Sequence, residues 1–116
     1  MGSLSQLKCH ACEGLEDKLS KKQIKQNIKQ IKNWRINKNC IKKSLKFKDF
    51  KSALSFVNKV GKLAEKEGHH PDILLSWGRV EITLFTHSLN GLSINDFILA
   101  AKINALLRKK RKKGSL

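Results

Sequence analysis

The chain has few acids, a single proline, no long apolar run and only three cysteines, and each shortage removes a class of protein. No window approaches the roughly 18 consecutive apolar residues that a membrane span requires, and no secretory leader is expected before the folded part. A soluble protein is therefore expected, cytoplasmic, with the nucleus as a second location. Three cysteines in 116 residues, an odd number in a chain long enough to bury one core unaided, argue for reduced thiols. Cys9-His10-Ala11-Cys12 has the tight spacing of half a zinc site, but structural zinc wants four ligands and Cys40 stands alone. No metal is expected.

Nine acids against 25 Lys and Arg leave a formal charge of +16. Such an excess points first to phosphate backbones or anionic membranes. Here the charge is spread out: lysines alternate with Asn, Gln and Ile from Ser20 to Lys51 and fill solvated positions. Only Arg108-Lys109-Lys110-Arg111-Lys112-Lys113 is a dense run, too charged to pack. It reads as a solvated tail, with a nuclear-localisation or nucleic-acid patch as the alternative. No stripe of interleaved aromatic and basic residues is visible, so nucleic acid is not expected to be the main partner.

What is present is a regular succession of short patterns. Residues 1–18 lack sustained periodicity and are expected to form a loose arm, 19–107 a single domain and 108–116 a basic tail. Ile24, Ile28 and Ile31 recur at helical spacing behind Ser20. Trp34 to Asn37 is a short extended piece, and Asn37-Lys38-Asn39 is turn material. A second strand alternates Ile41, Lys43, Leu45 and Phe47 with Lys42, Ser44 and Lys46. Asp49 can cap the next helix, whose expected core stripe is Phe50, Ala53, Leu54, Val57, Val60 and Ala64. That helix must stop before Pro71, with Gly68 as its exit.

Ile73 to Trp77 and Val80 to Thr86 read as strands, with a two-residue turn at Gly78-Arg79 and glycine at the first turn position. The alternation sends His87 out at a strand end, opposite the aliphatic face. After Asn90-Gly91, Ser93 with Asp96 three residues on has the form of a capping box, opening a last helix through Phe97, Ala100, Ala101 and Leu107. The order α-β-β-α-β-β-α, with hairpins and no parallel crossover, predicts an α+β fold: a four-stranded antiparallel sheet with three helices packed on one face.

Three of the four histidines fall in two short pieces, Glu67-Gly68-His69-His70-Pro71-Asp72 and Phe85-Thr86-His87-Ser88. Imidazole titrates near neutrality, so histidines gathered on neighbouring loop and strand ends would form a proton-transfer site without a metal. Singly, a His-His-Pro loop is usually a polar turn and a strand-end histidine usually surface. Linked to Trp77, Val80, Gly91-Leu92-Ser93 and Asp96, and upstream to Trp34, Phe47-Lys48-Asp49-Phe50 and Ala64-Glu65-Lys66, the pattern resembles the pterin-4α-carbinolamine dehydratases from about Leu19 to Leu107.

That resemblance implies a lyase that removes water from a 4a-hydroxytetrahydropterin to give the quinonoid dihydropterin, recycling the pterin without a cofactor of its own. It implies three catalytic histidines, His69 and His87 as the acid/base pair and His70 as the residue that fixes the pterin and helps hold their protonation states. Gly68, Pro71, Phe85, Thr86 and Ser88 would line the substrate pocket. It also implies a homodimer or homotetramer, and a possible protein partner, since some animal members act as transcriptional coactivators. Two positions depart from the family: Gly68 stands where an acid often precedes the histidine pair, and Asn95 where some members carry Arg. Asp96 belongs to the family motif, but a helix cap accounts for it.

Overall fold

A computed structural model describes residues 4–9 and 18–114, with side chains as far as Arg108. Ser20 opens α1 (Lys21–Ile28) through a reciprocal box: its hydroxyl accepts the Gln23 N–H at 3.2 Å while the Gln23 side-chain Oε1 accepts the Ser20 N–H at 2.9 Å. Ile24 and Ile28 lean on the core, and Ile31, just past the helix, is buried. The chain then enters β1 (Arg35–Asn37), turns with Lys38 at φ 57°, and returns as β2 (Cys40–Lys46).

With β3 (Asp72–Ser76) and β4 (Arg79–Leu84) these strands form one antiparallel sheet in the order β1-β2-β4-β3. The element order is the expected one. Opposite pairs Ile41 and Leu84, Lys43 and Ile82, and Leu45 and Val80 make up the face the three helices cover. The alternate face carries Lys42, Ser44, Lys46, Arg79 and Glu81, where the Glu81 carboxylate takes Ser44 Oγ and reaches Arg35 and Arg79. Period-two alternation thus separates a packed side from a wet one.

Lys43 is the exception on the covered face. Its side chain runs into the interior and its ammonium donates to the Lys32 carbonyl at 3.0 Å, 5.9 Å from the Trp34 ring centre. The same carbonyl accepts from Asn104, whose Oδ1 takes the Trp34 indole N–H at 3.0 Å. These polar groups stay buried because each has a partner.

Asp49 caps α2 (Phe50–Glu67) by accepting the Ser52 N–H at 2.8 Å, and Gly68 ends it in the left-handed conformation at φ 68°. The buried stripe is Ala53, Phe56, Val60 and Ala64. This corrects the expected stripe: Phe50 and Leu54 stay exposed at 44% and 40%, and Phe56 lies wholly inside. Apolar residues occur on two adjoining faces of this helix, so periodicity alone did not tell which one meets the sheet.

The β3–β4 turn is a second correction. Ser76 pairs with Arg79, so the loop residues are Trp77 and Gly78, one position earlier than expected. Gly78 is not in the left-handed region; a side chain there would bring Cβ to 2.9 Å from the Phe47 carbonyl oxygen, so close approach demands the glycine. Trp77, 69% exposed, sits at this turn.

The last helix, α3 (Ile94–Gly114), buries Phe97, Ile98, Leu99 and Ala100 in succession, more than one stripe, because it is covered on several sides. Its backbone stays helical through the basic run expected as a tail. Part of that cover comes from the N-terminal arm, where Leu4–Gln6 forms a short 3-10 turn with Leu4 buried in the core. No helix among the described residues is long and apolar enough to cross a membrane.

The two phenylalanines of α2 separate the alternatives. Phe56→Ala should cost about 3 to 5 kcal/mol, the range for emptying a packed aromatic site, while Phe50→Ala should cost less than about 1 kcal/mol. Urea midpoints at unchanged slope measure both.

Candidate functional site

The candidate site lies where three chain segments meet beyond the turn-distal ends of β3 and β4. Gly68 reverses the chain after α2, with its own N–H and that of His69 both donating to the Ala64 carbonyl at 2.9 and 3.3 Å. Only a residue at ease at positive φ lets His69 follow the helix so closely. On the other side β4 stops at Leu84, and Thr86 makes a bridge to Gly91 around a 3-10 turn, His87–Leu89. His87 therefore starts a turn and is not part of the strand. Asn90 closes that turn at φ 49° and takes Asn39 Nδ2 on its side chain at 3.0 Å.

Asp96 ties these segments together. It is fully buried, and its Oδ2 accepts the Ser93 N–H at 3.0 Å and the Thr86 hydroxyl at 2.9 Å, while Oδ1 lies 2.6 Å from His69 Nε2. Half of the expected capping box is thus formed. The Ser93 hydroxyl faces Thr86 Oγ1 at 2.8 Å, and since Thr86 spends its proton on Asp96, Ser93 donates to Thr86. A carboxylate only accepts, so the His69 proton on this side belongs to Nε2 and Nδ1 is the nitrogen left for other chemistry. The His69 side chain remains 13% exposed.

The other predicted residues are placed less uniformly. His87 and Ser88 are exposed, and the His87 ring lies 4.1 Å, centre to centre, from the half-buried Phe85 ring at a tilt of 48°. Thr86 is buried with its hydroxyl committed to Asp96; Gly68 is exposed and Pro71 half-buried. His70 turns away from Asp96 and pairs with Glu65 at 2.5 Å in an open setting. His69 and Thr86 share one carboxylate, and His87 follows Thr86 directly, so these histidine segments converge at one end of the hairpin. Trp77 is at the other end, out of reach of a ring bound near His69.

Two residues outside the predicted set complete the neighbourhood. Asp96 could be placed as a cap from its spacing to Ser93, but its bond to His69 spans 27 positions and leaves no local signal. Glu67, at the end of α2, has its side chain almost fully covered; its Oε1 accepts the Cys9 N–H at 3.0 Å and its Oε2 lies 3.5 Å from Lys102 Nζ. The Cys9 amide, then Lys102, holds the Glu67 carboxyl below the usual range against the opposing effect of burial. The Cys9 thiol, whose Sγ lies 3.6 Å from the Asn95 carbonyl, is pushed up to about 12 by burial and by Glu67. No cluster of three or more potential metal ligands occurs among the described residues, and His10 and Cys12 lie outside them.

Comparison with known proteins adds an independent line. The family profile described as pterin 4 alpha carbinolamine dehydratase matches residues 17–106. A protein of Alkaliphilus metalliredigens named "Putative pterin-4-alpha-carbinolamine dehydratase" is 51% identical over 106 residues, covering 90% of this chain and 96% of that one. One of the same name from Rubrobacter xylanophilus is 40% identical over 107 residues, 91% of this chain and all of that one. Among solved structures, a transcriptional coactivator/pterin dehydratase from Brucella melitensis superposes with TM-score 0.73 at 34% identity, over 77% of this chain and 97% of that chain. A pterin dehydratase-like RuBisCO assembly factor of the alpha-carboxysome gives TM-score 0.55 at 27% identity, over 64% and 88%.

Two measurements follow. Asp96→Ala strands the Thr86 hydroxyl, the Ser93 N–H and His69 together and should lower stability by at least about 2 kcal/mol in denaturant titration, with Thr86→Val costing less. For Glu67 the folded-state pKa is depressed, so its contribution is complete above the ordinary glutamate value of about 4.3 and is lost as pH falls through the lower folded value. The stability difference between the unaltered protein and Glu67→Gln should therefore be present at pH 7 and shrink on acidification.

Proposed function

The chain belongs to the pterin 4 alpha carbinolamine dehydratase family, and from that premise we propose that it dehydrates a 4a-hydroxytetrahydropterin to the quinonoid dihydropterin and water. The observation that carries the reading is the Asp96 relay: it anchors Nε2 of His69 and fixes Thr86, the residue before His87. Hydroxide leaves C4a poorly, so an acid must protonate the 4a-oxygen while the N5 lone pair expels water and a base removes the N5 proton. His69 and His87 take these two tasks. The imidazolium that gives its proton and the imidazole that receives one are then exchanged back through solvent.

Asp96 accepts at Nε2, so proton transfer at His69 runs through Nδ1, and the carboxylate stabilises the imidazolium whenever it forms. His70 holds the pterin, exchanging its exposed contact with Glu65 for one with the substrate. Gly68, Pro71, Phe85 and Ser88 line the pocket, and Thr86 serves it by holding Asp96. No cofactor is required, and the active form is a homodimer or homotetramer.

A second reading, a protein-binding module, is favoured by the uncovered apolar residues Phe50 and Leu54 on α2 and by the structural neighbours, one named a transcriptional coactivator and one a RuBisCO assembly factor. It predicts a stable complex with a protein partner whose formation is lost in Leu54→Asp and indifferent to His69→Ala.

Mixing the protein with freshly generated 4a-hydroxytetrahydropterin and following the quinonoid product against the spontaneous reaction tests the enzyme reading. The unaltered protein should accelerate dehydration, and His69→Ala and His87→Ala should each lower the rate by about 10² to 10⁴-fold. A rate that survives both substitutions would remove these roles.

A further inference from the structure

Glu67 stands two residues before His69, and Asn95 stands one before Asp96. A single arm residue, Cys9, reaches both. Its N–H donates to Glu67 Oε1 at 3.0 Å and its Sγ lies 3.6 Å from the Asn95 carbonyl. Lys102 of α3 reaches the other Glu67 oxygen, so the end of α2 and the first turns of α3 are joined twice at this point. The arm is otherwise anchored through Leu4, buried in the core. An open hollow of about 220 Å³, lined by Ser5, Leu63, Glu67 and Lys102 among others, borders this junction.

We infer that Glu67 is a positioning residue for the candidate site: by capturing the Cys9 N–H it straps the arm across the ends of α2 and α3 and so sets the distance at which His69 meets Asp96. The inference rests on the dehydratase reading only for its kinetic consequence. A shift of about 1 Å in a catalytic group can cost on the order of 10²-fold in rate, so a strap that touches neither substrate nor imidazole still controls turnover. A group that acts only by aligning His69 affects kcat with little change in KM, because the pterin contacts themselves are intact. General loss of stability would not produce that division in the fraction that remains folded.

The test compares Glu67→Ala, Glu67→Gln and Leu4→Asp in a background where Cys9 is the sole thiol through Cys12→Ser and Cys40→Ser. Kinetics, thermal midpoint and the rate of Cys9 alkylation by iodoacetamide at pH 8 are measured together. Docked, the Cys9 thiol is half-buried and held far from its ionised form, so it should resist the reagent. Glu67→Ala should lower kcat by about tenfold or more with KM within about twofold, and should speed alkylation by at least about tenfold. Glu67→Gln, whose amide oxygen still accepts from Cys9, should restore most of both. Leu4→Asp frees the arm without touching α2 and should reproduce the Glu67→Ala pair of effects, which covers the case in which Glu67→Ala fails to fold. Faster alkylation with unchanged kcat, or a fall in kcat with Cys9 still protected, overturns the strap.

The fate of the strap is separable from that of the enzyme reading. Should the unaltered protein fail to dehydrate the pterin, the His69 ring N–H signal by NMR is read without substrate. Its loss in Glu67→Ala, together with faster alkylation, supports the strap, and its persistence overturns it.

Discussion

A buried carboxylate must find donors or destabilise the fold, and Asp96 finds them on three different pieces of chain. The Ser93 N–H belongs to the start of α3, the Thr86 hydroxyl to the segment leaving β4, and the His69 imidazole to the loop leaving α2. None of these segments is joined to the next by regular secondary structure at this point. What aligns them is the need of one acidic group for three partners. A cap that is worth about 1 kcal/mol in an isolated helix is here also the group that orients an imidazole.

The rest of the domain serves that junction by holding its supports rigid. The β2–β4 ladder fixes where Thr86 emerges, and α2 fixes where Gly68 turns back. Their packing is made by Ala53, Phe56 and Val60 with Ile41, Ile82, Leu84 and Val80 in one core cluster. At the opposite flank, Lys43, Trp34 and Asn104 place polar atoms inside the core without leaving any unpaired. The outer face of the sheet takes no part in this and stays solvated around Glu81.

Regular elements were legible because they depend on residues close in sequence. Ile24, Ile28 and Ile31 at helical spacing, Asp49 before an apolar stripe, and the alternation from Ile41 to Phe47 each act over one or two turns or a few residues of strand. Failures came where a local signal had two solutions. Phe50 and Phe56 both belong to apolar faces of α2, and the choice was made by which face the sheet could fill. The turn at Trp77-Gly78 was misread by one residue because glycine suggested positive φ, whereas the strands use it to let the Phe47 carbonyl approach.

The sequence by itself determined the order of helices and strands, the cap that begins α2, and the grouping of histidines into two short motifs, since backbone geometry and the 3.6- and 2-residue periods are local properties. Only the tertiary structure decided which of those histidines is held and which is loose. His69 meets Asp96 across 27 positions and Cys9 meets Glu67 across 58, while His70, one residue along, turns outward to Glu65. Hydrogen bonds between groups so far apart in the chain exist only once packing has brought donor and acceptor to within about 3 Å, and nothing in the spacing of the residues encodes that approach.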